Sequence, residues 1–298
     1  MIAISSEDTT TNFDPRLVIG PMQVGALVTA ALFGCLVIQT YVYFTRFIDS
    51  SSFKATVAAV VLFQLGHFFT VIFTMWTMTV TAYGDPSKLD VLPVSAIITV
   101  LLSNVTAFIA QSFYTYRLWK LSGKVFFPIL SEIFCVVAEL ATLFVVIKAF
   151  SMTSIAHFLV EQNVWIMIGF TSRAICDITI TVGVTWSLKK QKQAQGRHIV
   201  ETTTIIDCLI LWTIENGLAT SLMSLSVMAA CLYLQGTYVW FGLYIIQANV
   251  FANALLVSLN RRLVFRKCDD GIPMNPVMIR VDVPRTQAEP EVKTQGPS

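Results

Sequence analysis

Seven long apolar runs alternate with short polar segments along this chain, at about 17–44, 55–80, 94–116, 126–150, 164–188, 208–234 and 240–259. Each is long enough to cross a hydrocarbon core as a helix, so the pattern predicts an all-α polytopic bundle of seven transmembrane helices over residues 17–262. The spacers carry turn signals or charge. Gly84, Asp85 and Pro86 follow the second run, Arg117, Lys120 and Lys124 the third, and a basic, Gln-rich stretch from Lys189 to Thr204, read as a loop, the fifth. Residues 1–16 are short, polar and acidic and lack the basic head and cleavage pattern of a signal peptide, so they are expected to remain as an extracytosolic segment. From Asp269 the chain turns polar and holds five of its ten prolines, which predicts a disordered cytosolic tail over 269–298.

The fifth run, VWIMIGFTSRAICDITITVGVTWSL, breaks the apolar pattern at its centre with Arg173 and Asp177. Each charge costs about 2.5–3.5 kcal/mol at the middle of a span, whereas all ten Leu, Ile, Phe and Val residues of the run return only about 3–6 kcal/mol. That helix is marginal alone and needs neighbours. One helical turn separates the two charges on one face, so Arg173 is expected to neutralise Asp177, with Glu139 of the fourth run as the next partner in depth.

Charge then orients the bundle. Of twenty Lys and Arg, sixteen lie in the first, third and fifth spacers and the C-terminal segment, two lie within spans, and only Arg16 and Lys88 lie opposite. The expected topology is N-terminus outside, C-terminus cytosolic, in the plasma membrane or an endomembrane. With depth assigned at about 1.5 Å per residue, His67, Asn104, Glu139, Arg173, Asp177, Asn249 and Asn253 form a belt within about 5 Å of the midplane. Gln39, Gln111 and Glu215 form a second layer about 9–12 Å towards the cytosol. Two readings of the belt stay open: amides and charges that hold helices together, or ionisable residues that line a ligand cavity or proton path.

Composition narrows the classes. With 55% hydrophobic and 13% charged residues the chain is too apolar for a soluble domain, and no basic stripe with interleaved aromatics points to nucleic acid. Cys35, Cys135, Cys176, Cys208 and Cys231 fall in or against apolar runs and read as small core residues. Cys268, just beyond Arg266 and Lys267, is a candidate for palmitoylation or a plain cytosolic thiol. The three histidines, His67, His157 and His198, lie at three depths and cannot share a metal. GxSxG, HExxH, Gly-rich phosphate-loop and CxxC patterns are absent, so neither an enzyme nor a bound cofactor is expected. The last span contains no lysine for a retinal Schiff base.

Three motifs carry a family likeness: Asp177 followed by ITITVGVTW, ENGLATSL from Glu215 to Leu222, and NALLVSLNRR from Asn253 to Arg262. In these, residues 172–262 resemble the C-terminal domain of a large fungal, mainly basidiomycete, family of seven-span membrane proteins of unknown function (domain of unknown function 6534). GPMQVGALVTAALFGCLVIQTYVYFTRF and QSFYTYRLWKLS resemble the same family's first span and third-span exit. The resemblance implies the seven-span fold and no established activity.

The architecture suits a receptor-like sensor holding a small ligand within the bundle and coupling to a cytosolic signalling partner. Tyr116, Arg117 and Leu118 stand where G-protein-coupled receptors carry Asp-Arg-Tyr, and the seventh span has no proline, so G-protein coupling is not expected. The alternative is a proton-coupled or cation transporter, favoured by Glu139, Asp177 and Glu215 outnumbering Arg173 but without the internal repeats of that class. A structural membrane protein is the third reading.

Overall fold

A computed structural model describes residues 15–83, 85–89, 91–194, 200–234 and 237–261. Eight α-helices are present among them: α1 (Pro15–Arg46), α2 (Ser51–Trp76), α3 (Val94–Ser122), α4 (Phe126–Ala149), α5 (Ile155–Glu161), α6 (Asn163–Ala194), α7 (Val200–Tyr233) and α8 (Val239–Asn260). All but α5 are long and apolar enough to cross a membrane, with mean hydropathies of 1.3 to 2.2 over their most apolar stretches. Hydrocarbon offers the backbone no hydrogen bonds, so a chain this apolar satisfies its N–H and C=O groups within helices. The fold is that of a multi-pass integral membrane protein.

The spans follow the apolar runs and extend beyond them. The stretch from Lys189 to Thr204, expected as a loop, is helical to Ala194 and again from Val200. A π-helical turn, Thr77–Thr81, continues α2, and the spacer before the fifth span folds into the short helix α5. At the other end, α3 stops where Gly123 turns left-handed at φ 61° and returns its N–H to the Trp119 carbonyl.

Successive spans pack side by side and α1 closes the ring against α8. Two helices lie innermost: 67% of the apolar stretch of α8 and 56% of that of α3 is buried, against 22–44% in the other five. The outward faces carry Leu27, Ile38, Leu62, Phe69, Phe73, Leu140, Ile147 and Leu222, all exposed. An apolar band of that extent has lipid, not water, as its stable neighbour. Cys135, Cys176 and Cys231 are buried free thiols as expected, whereas Cys35 lies on the exposed face.

Small residues set the tightest crossing. A Cβ at Gly25 would stand 2.7 Å from the Gly242 carbonyl oxygen, and one at Gly242 would stand 2.5 Å from that of Pro21. Only glycine lets α1 and α8 meet backbone to backbone. Amides lock that seam, as the Gln39 Nε2 donates to Asn253 Oδ1 at 3.0 Å and the Asn260 Nδ2 to the Gln39 carbonyl at 2.8 Å.

Candidate functional site

The charged middle of the bundle is built from α3, α4 and α6, and its pairing differs from the expected one. Arg173 Nη2 donates to Glu139 Oε1 at 2.9 Å and to Asn104 Oδ1 at 2.7 Å, while its guanidinium lies 6.0 Å from the Phe251 ring of α8. Glu139 is therefore the primary partner of Arg173. Asp177 instead accepts from Gln111 Nε2 of α3 at 2.7 Å through Oδ1. Its Oδ2 is buried and without a hydrogen-bond partner. Position i+4 on one helix does not decide the pair, because both side chains point inward and the neighbouring helices offer nearer partners.

The belt separates into distinct contacts. Asn253 accepts from Gln39 and donates to the carbonyls of Leu32 and Asn249 at 3.1 and 2.8 Å, a complete set of interhelical and local bonds that serves packing. Asn249 donates to the Ile245 carbonyl of its own helix, and Gln64 to that of Ala248, tying α2 to α8. His67 is wholly buried, and neither ring nitrogen has a partner.

The residues expected as a second layer are not bonded to one another. Gln111 reaches up to Asp177 and Gln39 to Asn253, whereas Glu215 is exposed on α7, beside the start of that helix's apolar stretch at Thr213. Cys268 and the tail 269–298 lie outside the described residues. Among the described residues, no three His, Cys, Asp or Glu side chains converge on one point.

Two cavities flank the Arg173 layer, and neither was visible in the sequence. The first lies towards the end that carries Leu92, Phe158, Trp165 and Trp240, has about 680 Å³ of empty space counting its opening, and has no Asp, Glu, Lys, Arg or His in its lining. Phe170 and Tyr244, whose rings meet edge to face at 6.0 Å, line the same cavity. The second, also about 680 Å³ counting its opening, runs from Asp177 past Thr181, Asn216 and Thr220 to Arg117 and Arg261 at the basic end. Along α6 the order is Phe170 in the first cavity, Arg173 between, and Asp177 in the second.

Residues 173–263 match the model of a family of unknown function, DUF6534. The DUF6534 match begins at Arg173 and covers the rest of α6, α7 and α8, so it includes Asp177 and the three helices that line the second cavity together with α3. Asn104, Gln111 and Glu139, which complete both polar contacts, come from helices outside the matched segment. No curated protein and no solved structure matches the chain.

Proposed function

We propose that this chain is a receptor-like sensor that holds a small, largely apolar ligand in the cavity at the N-terminal end of the bundle. The positive charges favour placing that end outside, where a ligand enters from the medium or the outer leaflet. The observation that carries the reading is the lining itself: aromatic and aliphatic walls without one Asp, Glu, Lys, Arg or His. The lining also carries a polar donor. The Trp240 indole N–H is buried without a partner, which suits a ligand with a single carbonyl, ether or hydroxyl oxygen. The Tyr244 hydroxyl is already committed to the Val100 carbonyl at 3.3 Å.

A sensor also needs an element that answers the ligand. Phe170 contacts the cavity one turn above Arg173, so a shift of α6 on binding bears directly on the bonds to Asn104 and Glu139. Those bonds join three helices across the bundle, which suits relay towards a cytosolic partner.

The second reading, a proton-coupled or cation transporter, is favoured by Asp177, a mid-span carboxylate whose second oxygen is unpartnered. Against it, the apolar cavity offers an ion no polar path to that residue. Purified protein titrated with uncharged ketones, esters and alcohols separates the two. The sensor reading expects a subset to raise Tm, with the rise lost in Ala149→Phe, which fills the cavity. Proton or cation uptake into proteoliposomes above protein-free vesicles, with no Tm response to any such compound, would overturn it.

A further inference from the structure

We propose that the cleft at the basic end of the bundle holds a phosphate group between the guanidinium groups of Arg117 and Arg261. This site is separate from the apolar cavity and does not depend on what occupies that cavity.

Two helices bring the arginines together. Arg117 Nη1 of α3 donates to Ser258 Oγ of α8, and Arg261 stands three residues beyond Ser258, where side chains on one helix face lie about 5–6 Å apart. Arg261 keeps that face, because its backbone is still right-handed helical and its N–H returns to the Val257 carbonyl. Both arginines are half-buried, and both line the cleft. Two positive charges held about one turn apart repel, and an anion lying between them turns that repulsion into attraction. A guanidinium carries five N–H donors in a planar fork that matches phosphate oxygens, and the bond to Ser258, which orients Arg117, engages one of them.

The rest of the lining fits the same group. Among the described lining residues Asp177 is the one acid, and it is withdrawn from the arginines. Gln111 holds its Oδ1, its Oδ2 is buried, and Gln111 lies six residues, about 9 Å, deeper along α3 than Arg117. Ile180 and Val184 of α6 and Ala254 of α8 line the stretch between those levels, so whatever the phosphate is attached to must be uncharged there. Phosphate is favoured over carboxylate by the number of forks, since a monoester offers three anionic oxygens to two guanidinium groups. A lipid headgroup and a soluble phosphate share that chemistry.

The test is the Tm of the full-length protein in phosphatidylcholine nanodiscs with two probes: phosphatidic acid replacing part of the lipid, and inorganic phosphate replacing chloride at a constant ionic strength of about 150 mM. At least one probe is expected to raise Tm by about 2–4 °C, and Arg261→Gln to abolish the rise. A rise with phosphatidic acid alone assigns the site to a lipid headgroup, and a rise with inorganic phosphate to a soluble ligand. Lys189→Gln with Lys190→Gln, which removes two exposed charges outside the cleft lining, should keep the rise. Ser258→Ala, which releases Arg117, is expected to raise the half-saturating amount of the active probe several-fold; it serves if Arg261→Gln fails to fold. No rise with either probe, a rise that survives Arg261→Gln, a rise lost equally in the lysine variant, or a half-saturation unchanged in Ser258→Ala would each overturn the site.

Discussion

Replacing Glu139 with leucine strands the Arg173 guanidinium in the middle of the bundle. The pair is 2.9 Å apart, with side-chain exposures of 6% for Arg173 and 17% for Glu139. At an effective dielectric of about 20, unit charges at that separation attract by about 5–6 kcal/mol, and desolvation offsets much of it. Removing one partner forfeits the attraction and keeps the desolvation, so Glu139→Leu is expected to cost about 3–5 kcal/mol. The remaining bond to Asn104 limits the loss but cannot neutralise the charge. In the double variant Glu139→Leu with Arg173→Leu, both the charge and its insertion cost are gone, and most of the stability should return. The assay is a double-mutant cycle in detergent micelles, read by tryptophan fluorescence during denaturant titration. A coupling of about 2 kcal/mol or more between positions 139 and 173 is expected, and a clearly smaller one between 173 and 177. Additive losses at 139 and 173, or a dominant coupling between 173 and 177, would refute the pairing.

Other outcomes follow from the same contacts. Asp177→Leu should cost about 1–3 kcal/mol, because the buried Gln111 amide loses its acceptor, and the loss should shrink when Gln111→Leu is added; the same unfolding assay measures it. Gly242→Val should reduce the yield of folded protein sharply, as its side chain meets the Pro21 backbone rather than a movable group, whereas Gly20→Val, with nothing within 4 Å, should not; size-exclusion profiles of the two distinguish them. A tag inserted between residues 194 and 200 should be protected from externally added protease in intact cells while a tag before Asp14 is cleaved, and the reverse pattern would invert the orientation.

The seven spans were legible because each is a long apolar run, and the hydrocarbon leaves such runs no alternative to helix. Helix α5 was not, since seven residues outside the spans carry too few turns to show a period. The residues of the charged centre were also legible, because Glu139, Arg173 and Asp177 are costly exceptions in apolar surroundings. Their pairing was not: it depends on the rotation of α3, whose Asn104 and Gln111 stand on one inner face two turns apart and claim Arg173 and Asp177 separately. Rotation likewise turns Glu215 outward while its neighbour Asn216 faces the cleft, a difference that depth along the chain cannot express. The cavities were invisible for a further reason. Their walls join residues as distant as Leu92, Phe158 and Trp240, and space left between side chains of separate helices has no signature in any one segment.

Trp240 offers the most direct measurement of the proposed ligand site, since its indole N–H is buried, unpartnered and on the lining of the apolar cavity. With ¹⁵N-labelled tryptophan in nanodiscs, an uncharged ketone that raises Tm should shift the indole resonance of Trp240, and that of Trp165 on the same lining, to saturation. The exposed Trp76, Trp119 and Trp186 should stay in place. Saturable shifts confined to those three, with Trp240 unmoved, would place the compound in the lipid rather than in the bundle and contradict the account.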